Sequence, residues 1–210
     1  MTHPATHQGH AFQVLEGTTH PAYSLFTFDA EEKDFREQHW NVQPGQVVAD
    51  VGASYGAYAL SACAAGATVH AFEPEPTVYT DLVRNIELNG WTDRCHAVNV
   101  GCWNAPCTVP MASYAPHWPA ATISTDYRML TLDSYFAGRG ETRLDWLKVD
   151  VEGAEVEALK GAIVTLSRLK PRVIVECHVF LDATLTARVR ELLASVGYSD
   201  FQEVERDPCV

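Results

Sequence analysis

The sequence has little that would suit a membrane, an oxidising compartment or a nucleic acid. It contains no apolar run long enough to span a bilayer and no charged-then-apolar N-terminus of the secretory kind. Its six cysteines include no C-x-x-C pair, so neither a zinc ribbon nor a disulfide framework is indicated. Basic residues are few: the chain has 15 Lys and Arg and 27 Asp and Glu, which gives a net charge of −12. We therefore expect a cytoplasmic protein with no membrane or nucleic-acid partner.

The size and composition of the chain predict one globular domain. Its 210 residues are 47% hydrophobic, enough for a self-sufficient core. Residues 1–10 lack apolar periodicity and are predicted to form a mobile tail. The catalytic domain is predicted over residues 11–210, with an N-terminal extension at residues 11–44 and an irregular, proline-rich insertion at residues 101–136.

Strand and helix patterns alternate through most of the remaining chain, which predicts an α/β fold with a doubly wound, mostly parallel sheet. The predicted strands are Val47–Val51, Thr68–Phe72, Cys95–Asn99, Trp146–Val149 and Val173–Cys177. The predicted helices are Ala30–Trp40, Tyr55–Ala65, Glu75–Asn89, Ala154–Leu169 and Ala183–Val196, with Asn89-Gly90 ending the third of them.

The segment Val47–Gly56 (VVADVGASYG) is typical of the strand–turn–helix entry to a nucleotide-type cofactor site. Its glycines depart from the dinucleotide pattern G-x-G-x-x-G, which favours a cofactor without phosphate, and S-adenosylmethionine fits best. Glu73 ends the next apolar run, where a carboxylate would accept hydrogen bonds from both ribose hydroxyls. Asn99 is expected to meet the adenine, and Asp50 to face the cofactor's ammonium group, directly or through water. The residues themselves predict cofactor contacts at Asp50, Gly52, Ser54, Tyr55, Gly56, Glu73, Asn99 and Asp150.

The acceptor is predicted to bind beside the cofactor, at the edge of the sheet formed by the carboxyl ends of the strands. Open α/β sheets bind ligands at this edge, here called the rim. Asp150, Glu152 and His178 all end or follow predicted strands, and they are the candidate catalytic residues. A neutral His178 is the preferred proton acceptor, with Glu152 next. Glu155 is expected only to complement the helix dipole. A magnesium or calcium ion on Asp150 and Glu152 is a less favoured alternative.

The motifs DVGASYG, AFEPEP, NIELNG, TLDSYF, LKVDVEGAE and VIVECH occur in this order, and together they resemble the FkbM family of methyltransferases. The resemblance implies a Rossmann-like class I methyltransferase sheet in a single domain, S-adenosylmethionine as donor and S-adenosylhomocysteine as product. It also implies cofactor contacts at Asp50, Gly52, Ala53, Gly56, Glu73 and Pro74. It also implies O-methylation of a small hydroxylated acceptor, such as a sugar or a glycosylated natural product. Ser54 stands where family members more often have asparagine. The chain ends soon after Tyr198, so the final antiparallel strands are expected to be short or incomplete.

Two other functions are compatible with the same residues. The first is a cofactor-binding protein of this fold without turnover. The second is an NAD-linked oxidoreductase, which is disfavoured because the loop lacks the third, phosphate-cradling glycine.

Overall fold

A five-stranded parallel sheet forms the centre of the computed structural model, which describes residues 2–15, 30–110 and 126–204. The strand order is β10-β9-β3-β4-β5. These strands are β3 (Val47–Val51), β4 (Thr68–Phe72), β5 (Cys95–Val98), β9 (Trp146–Val149) and β10 (Arg172–Val175). The predicted α/β, Rossmann-like fold is therefore confirmed, and β3, β4 and β9 have the predicted bounds.

Helices cover both faces of this sheet. They are α1 (Ala30–His39), α2 (Ala57–Ala64), α3 (Pro76–Leu88), α4 (Leu132–Arg139), α5 (Glu155–Lys160), α6 (Ile163–Leu169) and α7 (Leu185–Ser195). None of the helices in these parts of the chain is both long and apolar enough to cross a membrane. No strand follows α7 among the described residues, which end at Val204.

The sheet is buried on both faces because its strands are apolar on both sides. Along β3, Val48 packs into one core with α2 and α3, whereas Ala49 and Val51 pack into a second core with the helices of the opposite face. Burial on both faces is typical of a parallel sheet. A polar side chain within these strands therefore needs a partner inside the protein.

The expected mobile tail at residues 1–10 is corrected by the structure. Thr2–His7 (β1) and His10–Leu15 (β2) form an antiparallel hairpin. His7 is buried, and its Nε2 lies 2.9 Å from the carbonyl oxygen of Trp40. The hairpin is held by such contacts with distant residues and by Phe12 and Val14 of β2, which are buried in the core on the side of α2 and α3.

The expected irregular insertion at residues 101–136 is also more ordered than predicted. Its described residues include β6 (Gly101–Cys102), β7 (Cys107–Pro110) and β8 (Asp126–Leu130), which form a small sheet in the order β6-β8-β7, and the start of α4. Residues 111–125 lie outside the described residues.

The helix predicted over Ala154–Leu169 is two helices, α5 and α6, separated at Gly161 and Ala162. A β-carbon on Gly161 would lie 2.0 Å from the carbonyl oxygen of Trp103, so this position accepts only glycine. Asp133 then begins α6 by accepting hydrogen bonds from the amides of Val164 (3.0 Å) and Thr165 (2.7 Å).

Candidate functional site

The carboxyl ends of the five parallel strands meet at one edge of the sheet, and most predicted site residues lie there. Gly52 follows β3, Glu73 follows β4 and Asn99 follows β5. Asp150 follows β9, and His178 lies three residues beyond β10. The parallel arrangement therefore brings together the cofactor half and the acceptor half that the sequence predicted.

Gly52 is required by packing against the chain itself. Its φ is +76°, and a β-carbon there would lie 1.7 Å from the carbonyl oxygen of Asp150. The amides of Gly52 and Ala53 both donate to the carbonyl oxygen of Phe72, at 3.0 and 2.9 Å. Close approach of a cofactor was the expected reason for this glycine. The structure adds a second reason, which is the tight packing of the turn against the ends of β4 and β9.

The rest of the turn is held in a similar way. Ser54 has a φ of +50° and Gly56 a φ of +101°. A β-carbon on Gly56 would lie 2.8 Å from Leu82 Cδ1. The Tyr55 side chain is buried, and its carbonyl oxygen accepts a hydrogen bond of 3.0 Å from Asn85 Nδ2.

Glu73 fastens the glycine turn to the end of β4. Its Oε2 accepts a hydrogen bond from the amide of Ser54 and its Oε1 one from the amide of Glu75, both at 2.9 Å. Burial raises the pKa of Glu73 to about 7, although the two amide hydrogen bonds favour the ionised form. A carboxylate has about four acceptor positions, so the two remaining ones are compatible with the predicted ribose contact.

Asn99 supports the same corner. Its Nδ2 donates to the carbonyl oxygens of Glu73 (2.9 Å) and Pro74 (3.1 Å). The amide nitrogen is therefore committed to the backbone, and the side-chain carbonyl oxygen is the group suited to the adenine contact that the sequence predicted.

Lys148 is a site residue that the sequence reasoning missed. Its Nζ lies 3.3 Å from Asp50 Oδ1 and 3.2 Å from Asp150 Oδ2, and it donates a 2.8 Å hydrogen bond to the carbonyl oxygen of Gly52. The signal was a lysine inside an otherwise apolar strand, since a buried ammonium needs an anionic partner.

The buried position of Asp50 argues against the direct contact with a cofactor ammonium group that was one of the two expectations for it. Its side chain is fully buried, at 0% exposure, beneath the glycine turn. Burial raises the pKa of Asp50, and the neighbouring Lys148 ammonium opposes that rise. Asp50 is therefore placed to position Lys148 and the turn and not to touch a ligand directly.

His178 lies among three carboxylates at the carboxyl-end edge of the sheet. Its Nε2 is 3.1 Å from Glu152 Oε2 and 3.7 Å from Asp150 Oδ1, while its Nδ1 is 2.7 Å from Glu155 Oε1. Burial by itself lowers the pKa of His178, but the hydrogen bonds to Glu152 and Glu155 and the charge of Asp150 outweigh it and raise the pKa to about 10. In this state the imidazole is protonated at neutral pH, which corrects the expectation of a neutral proton acceptor.

Glu155 does more than complement a helix dipole. It is fully buried, and besides its contact with His178 its Oε1 accepts a 3.0 Å hydrogen bond from the amide of Gly153. The turn that precedes it is left-handed, with φ +56° at Glu152 and +104° at Gly153. This turn directs Glu152 and Glu155 to opposite nitrogens of the same imidazole.

The donor and acceptor pattern of the rim suits S-adenosylmethionine better than a dinucleotide. The amides of Gly52, Ala53 and Ser54 are all used in hydrogen bonds inside the protein. The rim also carries the partly exposed carboxylates of Asp150 and Glu152. Such a surface offers hydrogen-bond acceptors to hydroxyl and ammonium groups, and few amide donors to a pyrophosphate.

Comparison with known proteins agrees with this chemistry. A family model described as "Methyltransferase FkbM domain" matches residues 50–199. The chain is 28% identical to the methyltransferase sdnD of Sordaria araneosa, over 75% of this chain and 75% of that protein. It is 29% identical to the hexuronic acid methyltransferase AglP of Haloferax volcanii, over 65% of this chain and 57% of that protein.

Solved structures share the fold. The methyltransferase FkbM from Methylobacillus flagellatus KT matches with a TM-score of 0.61 and 19% identity, over 77% of this chain and 40% of that chain. The precorrin-8w decarboxylase of Methanobacterium thermoautotrophicum matches with a TM-score of 0.55 and 16% identity, over 89% of this chain and 79% of that chain. This chain thus spans less than half of one structural relative and most of the other.

Proposed function

This chain belongs to the FkbM family of methyltransferases, whose methyl donor is S-adenosylmethionine, and we propose that it methylates a hydroxyl group of a small molecule. A sugar or a glycosylated natural product is the acceptor class that we favour. The observation that carries this proposal is the position of Asp150, Glu152 and His178 beside the glycine turn, at one edge of the sheet.

The donor is proposed to lie across the carboxyl ends of β3 and β4. Glu73 would accept hydrogen bonds from the ribose hydroxyls, and Asn99 would contact the adenine. Asp150, whose side chain is 26% exposed, would face the positive end of the donor. When bound, the donor supplies a methyl carbon attached to a positively charged sulfur.

The acceptor hydroxyl is proposed to lie against Glu152, whose side chain is 24% exposed. Glu152 would take the hydroxyl proton as the acceptor oxygen bonds to the methyl carbon, and the electron pair of the broken carbon–sulfur bond would remain on sulfur. Because the attacked carbon already bears a sulfonium leaving group, alignment of the two reactants can supply roughly 7–11 kcal/mol of the barrier reduction. His178 positions Glu152 through the 3.1 Å contact.

The choice of a sugar acceptor is supported by one relative. AglP is named a hexuronic acid methyltransferase, and it is 29% identical to this chain over 65% of this chain and 57% of AglP. A polyol acceptor also suits a rim whose partly exposed side chains are carboxylates, because hydroxyl groups donate hydrogen bonds to them.

Two measurements test this function. Calorimetric titration with S-adenosylhomocysteine and with NAD should show binding of the first alone, and tighter binding of NAD would overturn the donor assignment. Methyl transfer from labelled S-adenosylmethionine should then be measured against hexuronic acids, neutral hexoses, glycosylated natural products and primary amines. We expect product that carries an O-methyl group, and methylation of the amines alone would refute the O-methyltransferase proposal.

A substitution tests the role of Glu152 separately from donor binding. Glu152→Gln should lower kcat about 10²- to 10⁴-fold while leaving the affinity for S-adenosylhomocysteine near that of the wild type. Glu157→Gln is the matched control, because Glu157 lies on the same segment but pairs with Lys160 at 2.7 Å. Equal activity of both variants would remove Glu152 from the chemistry.

A further inference from the structure

Asp150, Glu152 and His178 offer three ligand atoms that face one another. These atoms, two carboxylate oxygens and an imidazole nitrogen, all lie within 4.8 Å of each other. They come from two separate turns, one after β9 and one after β10. The cluster therefore depends on the tertiary fold and not on neighbours in the sequence.

One of the separations is that of two ligands that share a cation. Two ligands at about 2.1 Å from one ion lie roughly 3.0 to 3.4 Å apart in octahedral or tetrahedral geometry. His178 Nε2 is 3.1 Å from Glu152 Oε2, within this range, and 3.7 Å from Asp150 Oδ1, a few tenths of an ångström beyond it. The Asp150 side chain is 26% exposed, so it can rotate toward the other two ligand atoms on binding an ion.

Glu155 contacts the other ring nitrogen of the His178 imidazole. Its Oε1 lies 2.7 Å from His178 Nδ1. A metal-binding histidine usually donates its second ring N–H to a carboxylate, which fixes the tautomer and directs the other nitrogen to the ion. Glu155 is fully buried, and among the described residues its Oε2 has no hydrogen-bond partner.

The charge of the region also favours a cation. Among the described residues, Lys148 contacts Asp50 and Asp150, and His178 contacts Asp150, Glu152 and Glu155. Gathering several carboxylates in a partly buried region favours positive charge beside them. A divalent cation in contact with Asp150 and Glu152 would add such charge.

We propose that Asp150, Glu152 and His178 bind a divalent first-row transition cation, of which Mn²⁺ is the best match, with Glu155 orienting the histidine. Imidazole favours a transition metal over Mg²⁺ or Ca²⁺, and the two carboxylates suit Mn²⁺. This inference rests on the proposed O-methyl transfer for its purpose. The cation would hold the acceptor hydroxyl and favour loss of its proton, and Glu152 would bind through Oε2 and keep Oε1 as proton acceptor.

The test is a titration of the chelator-treated full chain with Mn²⁺, followed by electron paramagnetic resonance, without donor or acceptor. We expect one bound Mn²⁺ per chain and, in the electron spin echo, the modulation of a directly bound imidazole nitrogen. Wild-type protein that binds no Mn²⁺, or binds it without the nitrogen signature, would overturn the proposal.

Variants locate the ion. Glu152→Gln and His178→Gln should abolish Mn²⁺ binding, and Glu155→Gln should weaken it roughly 10- to 100-fold. Glu157→Gln removes the same charge from a neighbouring carboxylate and should bind Mn²⁺ like the wild type. Near-ultraviolet circular dichroism reports whether each variant is folded. Mn²⁺ binding by folded Glu152→Gln equal to that of the wild type would refute the site.

The outcomes also separate this inference from the proposed function. Methyl transfer that persists undiminished in a chelator, together with absent Mn²⁺ binding, would refute the metal site and leave the methyltransferase activity standing. Mn²⁺ binding with no methylation of any hydroxylated acceptor would retain the site and refute its purpose.

Discussion

Lys148 and Asp50 face each other across neighbouring strands, with Lys148 Nζ 3.3 Å from Asp50 Oδ1. The parallel register of β3 and β9 pairs these two residues directly. Lys148 also reaches Asp150 and the carbonyl oxygen of Gly52. The buried Lys148 ammonium group thus contacts residues at the carboxyl ends of both β3 and β9.

The first prediction concerns this buried pair. Lys148→Met should lower the free energy of unfolding by about 3–5 kcal/mol, because it leaves the buried Asp50 without a cation. Urea denaturation measures this loss. The control Lys160→Met breaks an exposed pair with Glu157 and should change stability by less than about 1 kcal/mol. Similar losses in the two variants would show that burial of the Lys148 pair is unimportant.

The second prediction concerns the glycine turn. Gly52→Ala should cost about 1–3 kcal/mol from its positive φ alone, and the clash with the Asp150 carbonyl oxygen should add to this and weaken S-adenosylhomocysteine binding. Gly138→Ala is the control, since a β-carbon there meets nothing within 4 Å and α4 should gain up to about 1 kcal/mol. Thermal unfolding measures the change in stability, and calorimetric titration measures the affinity for S-adenosylhomocysteine. A stable Gly52→Ala variant that binds normally would contradict the tight approach of β3 to β9.

The third prediction concerns the protonation of Glu73. Its pKa is raised to about 7 by burial, so the carboxyl group becomes largely neutral as the pH falls from 8 to 6. A neutral acid is a weaker acceptor for the ribose hydroxyls. The affinity of the wild type for S-adenosylhomocysteine should therefore fall over this window, as measured by calorimetry.

Glu73→Gln isolates this effect. At pH 8 it should bind S-adenosylhomocysteine roughly 10- to 100-fold more weakly than the wild type, and its affinity should not change between pH 8 and 6. The exposed Glu87→Gln on α3 should behave like the wild type throughout. An unchanged affinity in Glu73→Gln would remove the ribose contact.

The fourth prediction concerns acid stability. Burial, with the nearby His96 and Arg139, lowers the pKa of His70 from 6.5 to about 4. Between these values His70 binds a proton in the unfolded chain but not in the folded chain. The contribution of neutral His70 to the free energy of unfolding is therefore complete above pH 6.5 and is lost as the pH falls toward 4. The shift corresponds to roughly 3 kcal/mol.

Urea denaturation over this pH range provides the measurement. His70→Gln should lose that part of the pH dependence, whereas the exposed His10→Gln should keep the wild-type slope. Parallel curves for the wild type and His70→Gln would show that another group causes the acid sensitivity.

Several elements could be predicted to the residue because their signals are local. The strands β3, β4 and β9 are short apolar runs with clear ends, and Gly90, with φ +69°, ends α3 where the Asn89-Gly90 pair predicted. The clustering of Asp150, Glu152 and His178 also followed from the sequence, because the carboxyl ends of parallel strands share one edge.

Other features have a weak local signal or none. The β1–β2 hairpin has only a short apolar alternation, at Phe12 and Val14, and it is also fixed by bonds to distant residues, such as those between Gln13 and Asn89. The break between α5 and α6 arises from the approach of Gly161 to the Trp103 carbonyl oxygen, 58 positions away in the chain. Neither contact can be read from a pattern of neighbours.

The sequence by itself determined the α/β alternation, the glycine turn and the acidic rim, because hydrophobic period and turn chemistry act between near neighbours. Only the tertiary structure decided the roles within the rim. Strand register placed Lys148 against Asp50 and so removed Asp50 from the surface. The packing of two turns placed His178 between carboxylates, which raise its pKa to about 10. Such charge interactions depend on distance and burial, which emerge only when remote segments come together.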